Sequence, residues 1–163
     1  MKYLQIILFI VCTQLFSQTA ITKTLGEFSE LKVYDLINAE LIKGPENKIE
    51  ISGANSEHIS IVQKNGTLKI RMKIKYKFNG ADTQVKVYYT GIDIIDANEG
   101  SFIFSKDSIK QYEIFLKAQE GSKISVKTET KRLLVKSVTG STVTAAGTSC
   151  FISTHNRTCG ISI

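Results

Sequence analysis

The chain has 163 residues, 42% of them hydrophobic and 22% charged, with 21 Lys and Arg against 15 Asp and Glu for a formal net charge of +6. That composition belongs to a globular domain and excludes a disordered tail or a membrane bundle. The length excludes a large enzyme fold such as an α/β barrel, which needs roughly 250 residues.

The first residues read as an address. Met1-Lys2 gives a positive start, Ile6 to Cys12 is an unbroken apolar run that extends weakly to Phe16, and Ser17-Gln18 follows. This is the pattern of a secretory signal peptide over residues 1–17. The run falls short of the roughly 20 apolar residues that span a bilayer. Val11 is not the small residue that a lipid-anchor cysteine wants before it, so no anchor is expected at Cys12. Processing would leave 163 − 17 = 146 residues with a charge of 20 − 15 = +5. The expected destination is the periplasm, the outer surface or the medium, and no transmembrane segment is expected in the mature chain.

Beyond the leader, helical periodicity is nearly absent and alternation dominates, which predicts an all-β domain over residues 18–149. Short alternating runs occur at Ile49-Glu50-Ile51, Ile59-Ser60-Ile61, Val85-Lys86-Val87-Tyr88-Tyr89 and Ile124-Ser125-Val126-Lys127. Asn65-Gly66 between two such runs predicts a hairpin with a primed turn. The clearest run is Leu68 to Phe78, in which every even position is apolar and every odd position basic. It predicts one strand with a buried face and a cationic face that carries Lys69, Arg71, Lys73, Lys75 and Lys77 about 6.6–6.8 Å apart. Lys86 is expected to join from a neighbouring strand. Such a row suits an anionic polymer, held in a salt-sensitive way. It equally reads as a solvated face whose lysines blunt a sheet edge. Tyr76 and Phe78 fall on the apolar parity and are expected in the core, which leaves no base-stacking platform and no sequence-specific nucleic-acid reading. Of Tyr88 and Tyr89, one ring is expected on each face.

The second half carries a repeat. Asp96-Ala97-Asn98-Glu99-Gly100-Ser101-Phe102-Ile103 aligns with Lys117-Ala118-Gln119-Glu120-Gly121-Ser122-Lys123-Ile124, and then with Lys136-Ser137-Val138-Thr139-Gly140-Ser141-Thr142-Val143. A period near 20 with strand–turn–strand content predicts a β-solenoid, or parallel β-helix, with hairpins in the N-terminal half. A β-sandwich is the alternative. Stacked rungs would place the glycines at a corner, Ala97, Ala118 and Ser137 in a column of small residues, and Asn98 and Gln119 in an amide ladder.

Chemistry-bearing groups are sparse. His58 and His155 belong to no Ser or Cys constellation, so no catalytic residues and no cofactor are expected. Stacking would bring Glu99 and Glu120 about 4.8 Å apart at the backbone, and with Asp93 and Asp96 they are candidates for glycosidic acid/base work or Ca²⁺ binding. The alternative is solvated turn carboxylates offset by Lys106, Lys117 and Lys123. Cys150 and Cys159 remain after processing, and export permits a disulfide between them. Two Cys with His155 fall one ligand short of a structural zinc site, so no metal is expected.

Several stretches together carry a resemblance. They are Lys43-Gly44-Pro45-Glu46-Asn47-Lys48-Ile49, Asn65-Gly66-Thr67-Leu68-Lys69-Ile70-Arg71-Met72, Val87-Tyr88-Tyr89-Thr90, Asp93 to Gly100 and Ala118-Gln119-Glu120-Gly121. In order and density they resemble the head GIN domain family of auto-transporter adhesins, common in Bacteroidota, over roughly Leu25 to Gly147. The resemblance implies an exported, envelope-associated protein with a solenoid-like fold and brings no catalytic residues. Residues 150–163 depart from the family and are expected to form an atypical tail, as in a truncated product. Three readings follow: a binding module for a surface glycan, lipid or envelope protein; a polysaccharide-active enzyme using Asp96, Glu99 or Glu120; and a purely structural envelope component.

Overall fold

The computed structural model describes residues 20–157 and 160–162, so the leader read at residues 1–17 and the pairing of Cys159 lie outside the described residues. The strands in chain order are β1 (Ile21–Thr24), β2 (Glu30–Val33), β3 (Asn38–Lys43), β4 (Lys48–Gly53), β5 (Ile59–Lys64), β6 (Thr67–Met72), β7 (Thr83–Tyr89) and β8 (Ile94–Ala97). The long strands β9 (Phe102–Ala118), β10 (Lys123–Val138) and β11 (Thr142–Arg157) follow, with β12 (Gly160–Ser162) last. Two single 3₁₀ turns, Ser56–His58 and Ile74–Tyr76, lie between strands.

Among the described residues these strands form a single mixed, curled sheet. The all-β expectation holds, and the sheet is not the pair of face-to-face sheets of a sandwich. Its layout follows from the length of β9. The first residues of β9 pair with β3, which leads on to β7, β4 and β1; the last residues pair with β8, which leads on to β2, β6 and β5. On its other edge β9 pairs along its length with β10, and β10 with β11, in parallel. One long strand therefore carries two halves of the sheet, and the alternating side chains of both bury one core, including Leu31, Ile70 and Ile95 from one half and Ile49, Val87 and Ile103 from the other. The antiparallel pairs β1–β4, β4–β7 and β5–β6 involve strands that end before residue 90.

The turns explain the repeat. Asp35-Leu36, Glu99-Gly100, Glu120-Gly121 and Thr139-Gly140 each place two consecutive residues at φ between 50° and 72°. That is the backbone of a primed turn, in which glycine at the second centre avoids the Cβ penalty. In each of the last three turns a buried serine closes the loop. The Ser101, Ser122 and Ser141 hydroxyls accept from Asn98 N, Gln119 N and Val138 N, and donate to Val33 O, Ala97 O and Ala118 O on the neighbouring strand. Ala97, Ala118 and Ser137 stand in register and are buried, and the Gln119 side-chain amide donates to Asn98 Oδ1. The glycine spacings of 21 and 19 also have a cause: the β9–β10 offset is 21 residues at Phe102–Lys123 and 19 at Ser108–Lys127, so β9 holds two extra residues near Ser105–Asp107. The Asn65-Gly66 hairpin forms as expected, with φ of 51° and 73° between β5 and β6. The break expected at residue 150 falls inside β11, which keeps its parallel register with β10 to Arg157.

Candidate functional site

The five basic residues read from the sequence do not project from one strand. β6 ends at Met72: its pairing with β2 stops at Val33–Ile70, the Asp35 carboxylate takes the Met72 N–H at 3.0 Å, and one last backbone bond runs from Lys73 N to His58 O. Lys69 and Arg71 stay on the strand, Lys73 leaves it, and Lys75 and Lys77 lie in and after the 3₁₀ turn. The parity breaks with the strand: Ile74 is 82% exposed and Phe78 52%, while Tyr76 is half-buried and stacks on His58 with ring centroids 3.5 Å apart. The core placement expected for Phe78 is thus corrected. Lys86 does not join the row either, since β7 belongs to the other half of the sheet.

Three of the five meet again at a cleft of about 300 Å³ lined by Tyr34, Asp35, Lys69, Arg71, Met72, Ile74, Lys77 and Glu99. Lys77 pairs with Glu99 at 3.0 Å. Asp35 is buried, and this burial pushes its carboxyl above the ordinary range. The Met72 and Phe78 N–H groups oppose that shift and the Glu99 carboxylate adds to it.

The sheet builds a second cationic row that crosses strands instead of following one. Lys69 stands beside Lys32, Lys32 beside Asp96, Asp96 beside Lys117, and Lys117 beside Lys136. Four lateral steps of about 4.8 Å each make a row about 19 Å long. Parallel to it runs a half-buried apolar row, Ile94, Phe115 and Leu134. The Lys117 ammonium lies 4.7 Å from the Phe115 ring centre and that of Lys69 5.5 Å from the Tyr34 ring centre. Lys32 bridges Glu30 at 3.2 Å and Asp96 at 3.7 Å. Burial pulls its ammonium pKa down, but the two carboxylates outweigh that and raise it. Burial likewise works against Glu30, yet the Thr67 hydroxyl and Lys32 bring its carboxyl below the usual range. Asp96 is more deeply buried, and there burial prevails and raises it. Further clefts of about 310, 340 and 440 Å³ open on this same half, at Lys32–Lys64–Lys69, at Asp96–Lys117–Lys136 and at Asp93–Tyr112–Phe115.

Sequence reasoning missed Lys32, Lys117 and Lys136 as partners of Lys69. The signal was present: Asp96, Lys117 and Lys136 are the first residues of the three aligned repeat copies. Lys32 heads a fourth copy, hidden because Asp35-Leu36 replaces Glu-Gly.

Three of the four carboxylates read as candidates for acid/base or Ca²⁺ chemistry are engaged elsewhere, and the fourth, Glu120, is exposed at its turn. Glu99 is engaged by Lys77, Asp96 accepts from Asn98 Nδ2 at 3.0 Å, and Asp93 accepts from Gln111 Nε2 at 3.4 Å. Tyr89 is the inward ring of its pair, and burial pushes its phenol up to about 12, whereas Tyr88 is half-buried and donates to Glu50 at 3.1 Å. Among the described residues no group of three or more His, Cys, Asp or Glu is placed to hold a metal ion, and no helix is long and apolar enough to cross a membrane. The side chains of Cys150, His155 and Cys159 lie outside the described residues.

Solved structures share this fold at low sequence identity. A putative adhesin from Bacteroides fragilis superposes with a TM-score of 0.80 at 13% identity, over 89% of this chain and 69% of that one. A putative adhesin from Parabacteroides distasonis gives 0.69 at 14%, over 88% of this chain and 66% of that one. A putative lipid binding protein from the same species gives 0.66 at 12%, over 90% and 63%. No curated protein matches the chain. The family profile described as putative auto-transporter adhesin, head GIN domain, matches residues 27–155, and the chain belongs to that family.

Proposed function

We propose that this chain is an exported, non-catalytic binding module that holds an anionic surface glycan across the strands of its β2–β6–β8 half. The observation that carries the reading is the row Lys69, Lys32, Lys117 and Lys136, drawn from four strands and flanked by Phe115 and Ile94. A linear polymer lying along the stacking direction would meet ammonium groups on one side and, on the other, the Phe115 ring with Ile94 and Leu134. Asp96 inside the row and Glu30 beside it, in register with Ile94, favour a sparsely charged, hydroxyl-bearing chain over a nucleic acid, whose dense phosphates they would repel. Arg71, on the same strand as Lys69, adds its charge at the cleft, and Lys73, Lys75 and Lys77, which have left the strand, take no part in this row. We read the parallel β9–β10–β11 ladders as rungs of a solenoid, which gives the row its regular spacing. Membership in an adhesin family and the predicted leader support a role at the cell envelope.

The test uses an acidic polysaccharide such as alginate as probe. Lys69 and Lys136 hold no salt bridge among the described residues, so Lys69→Gln with Lys136→Gln removes two charges without stranding a carboxylate. Calorimetry should show binding that weakens as salt rises, and the double variant should show lower affinity with a shallower salt dependence. Undiminished binding by the variant would remove the row from the account. New reducing ends or unsaturated products would instead establish an enzyme.

A further inference from the structure

The loop from Lys73 to Asn79 exposes two apolar side chains, Ile74 and Phe78, between three lysines, Lys73, Lys75 and Lys77. The loop is braced. The Asp35 carboxylate accepts from Met72 N at 3.0 Å and Phe78 N at 3.4 Å, and its backbone carbonyl accepts from Gly80 N at 3.2 Å. The Asn55 side chain donates to Asn79 O at 3.2 Å, and Lys73 N donates to His58 O at 2.8 Å beneath the His58–Tyr76 stack. Phe78 itself sits at φ 64°, a left-handed backbone that is uncommon for a bulky residue and persists only where its surroundings hold it. An aromatic ring is therefore held at the surface by a buried carboxylate.

We propose that this loop docks the protein on an anionic phospholipid surface, with Ile74 and Phe78 entering the headgroup layer, Lys75 meeting lipid phosphates, and Lys73 joining it by exchanging its 2.8 Å bond to Glu57 O for a phosphate oxygen. Charge selects this partner. A second copy of the chain would bring the same lysines against themselves, and two side chains are a small fraction of the roughly 800 Å² per partner of a stable protein interface. A few apolar groups ringed by lysine are what an interfacial contact needs: the apolar groups leave water while the ammonium groups stay at the anionic surface. This inference stands apart from the glycan reading, since it uses the loop and not the cross-strand row.

The chain contains no Trp, so Ile74→Trp supplies a single fluorescent reporter at an exposed position. Vesicles of phosphatidylglycerol with phosphatidylethanolamine should shift its emission to the blue and shield it from iodide, and vesicles of phosphatidylcholine alone should not. In co-sedimentation of the full chain, Lys73→Gln and Lys75→Gln should each weaken vesicle binding about fivefold, and Ile74→Ser with Phe78→Ser should abolish the difference between lipids. Any apolar leader is common to all variants, so differences among them read the loop. Lys136→Gln, which tests the glycan row, should leave vesicle binding unchanged. An unshifted emission on anionic vesicles, or undiminished sedimentation of the Ser double variant, would overturn the proposal. A blue shift without lipid that grows with protein concentration would assign the loop to self-association and overturn it equally.

Discussion

Ser122 is fully buried, and its one hydroxyl accepts from Gln119 N at 3.0 Å and donates to Ala97 O at 2.7 Å. Removing it deletes both of these bonds but strands neither group, because Gln119 N also donates to Ala97 O at 3.0 Å; the loss is that of ordinary hydrogen bonds, about 0.5–1.5 kcal/mol. Ser122→Ala should lose about that much in urea unfolding, while Ser125→Ala on the exposed face of β10 should be nearly silent. Thr130 is the opposite case. Its hydroxyl is buried with no hydrogen-bond partner, so Thr130→Val should stabilise the fold by about 1 kcal/mol, read in the same assay. Asp35 adds a pH dependence. A carboxyl whose pKa is higher folded than unfolded binds its proton more tightly in the folded chain. Its contribution is present below the unfolded value of 3.8 and is lost as pH rises through the raised folded value. The stability gap between the native chain and Asp35→Asn should therefore narrow as pH rises above the unfolded value of 3.8; a gap that widens would contradict the shift. The glycine corners and the column of Ala97, Ala118 and Ser137 were legible in the repeat, whereas the serine that closes each turn shows its role only against the carbonyl of the neighbouring strand. The role of Asp35 was not, because its partners at Met72 and Phe78 are about forty residues away and meet it only through the β2–β6 pairing.

At the scale of elements, glycines in one ladder carry unequal constraints. A Cβ on Gly121 would meet nothing within 4 Å, and only its φ of 72° resists substitution. A Cβ on Gly147 would lie 1.9 Å from Thr128 O, inside the β10–β11 pair. Gly121→Ala should cost about 1–2 kcal/mol, the price of one left-handed residue. Gly147→Ala should cost more and open the pairing locally, visible as faster hydrogen exchange at residues 127–130 than in Gly121→Ala. β6 shows why an alternating pattern overstates a strand. Leu68 to Phe78 keeps perfect alternation, but a strand lasts only as long as its neighbours supply backbone partners, and the last of those is His58 O, which accepts from Lys73 N. The remaining alternation makes a braced loop with its apolar residues facing water.

For the whole molecule, the ladders join distant segments. β2 pairs with β6 and β8, and β3 pairs with β7 and β9, so the chain must close loops of several tens of residues before these contacts form. Folding should therefore be slow for its size, in the millisecond-to-second range of non-local β proteins. Stopped-flow refolding from urea would show this, and a microsecond relaxation would exclude it. The sequence by itself determined the all-β class, the family, the Asn65-Gly66 hairpin and the repeated turn, because each rests on local chemistry: alternation, the order of short motifs, and glycine where the backbone turns. Only the tertiary structure decided which basic residues stand together. Lys32, Lys69, Lys117 and Lys136 span more than a hundred positions of sequence, and they become neighbours because parallel pairing sets strands side by side, with a lateral spacing that no sequence window contains.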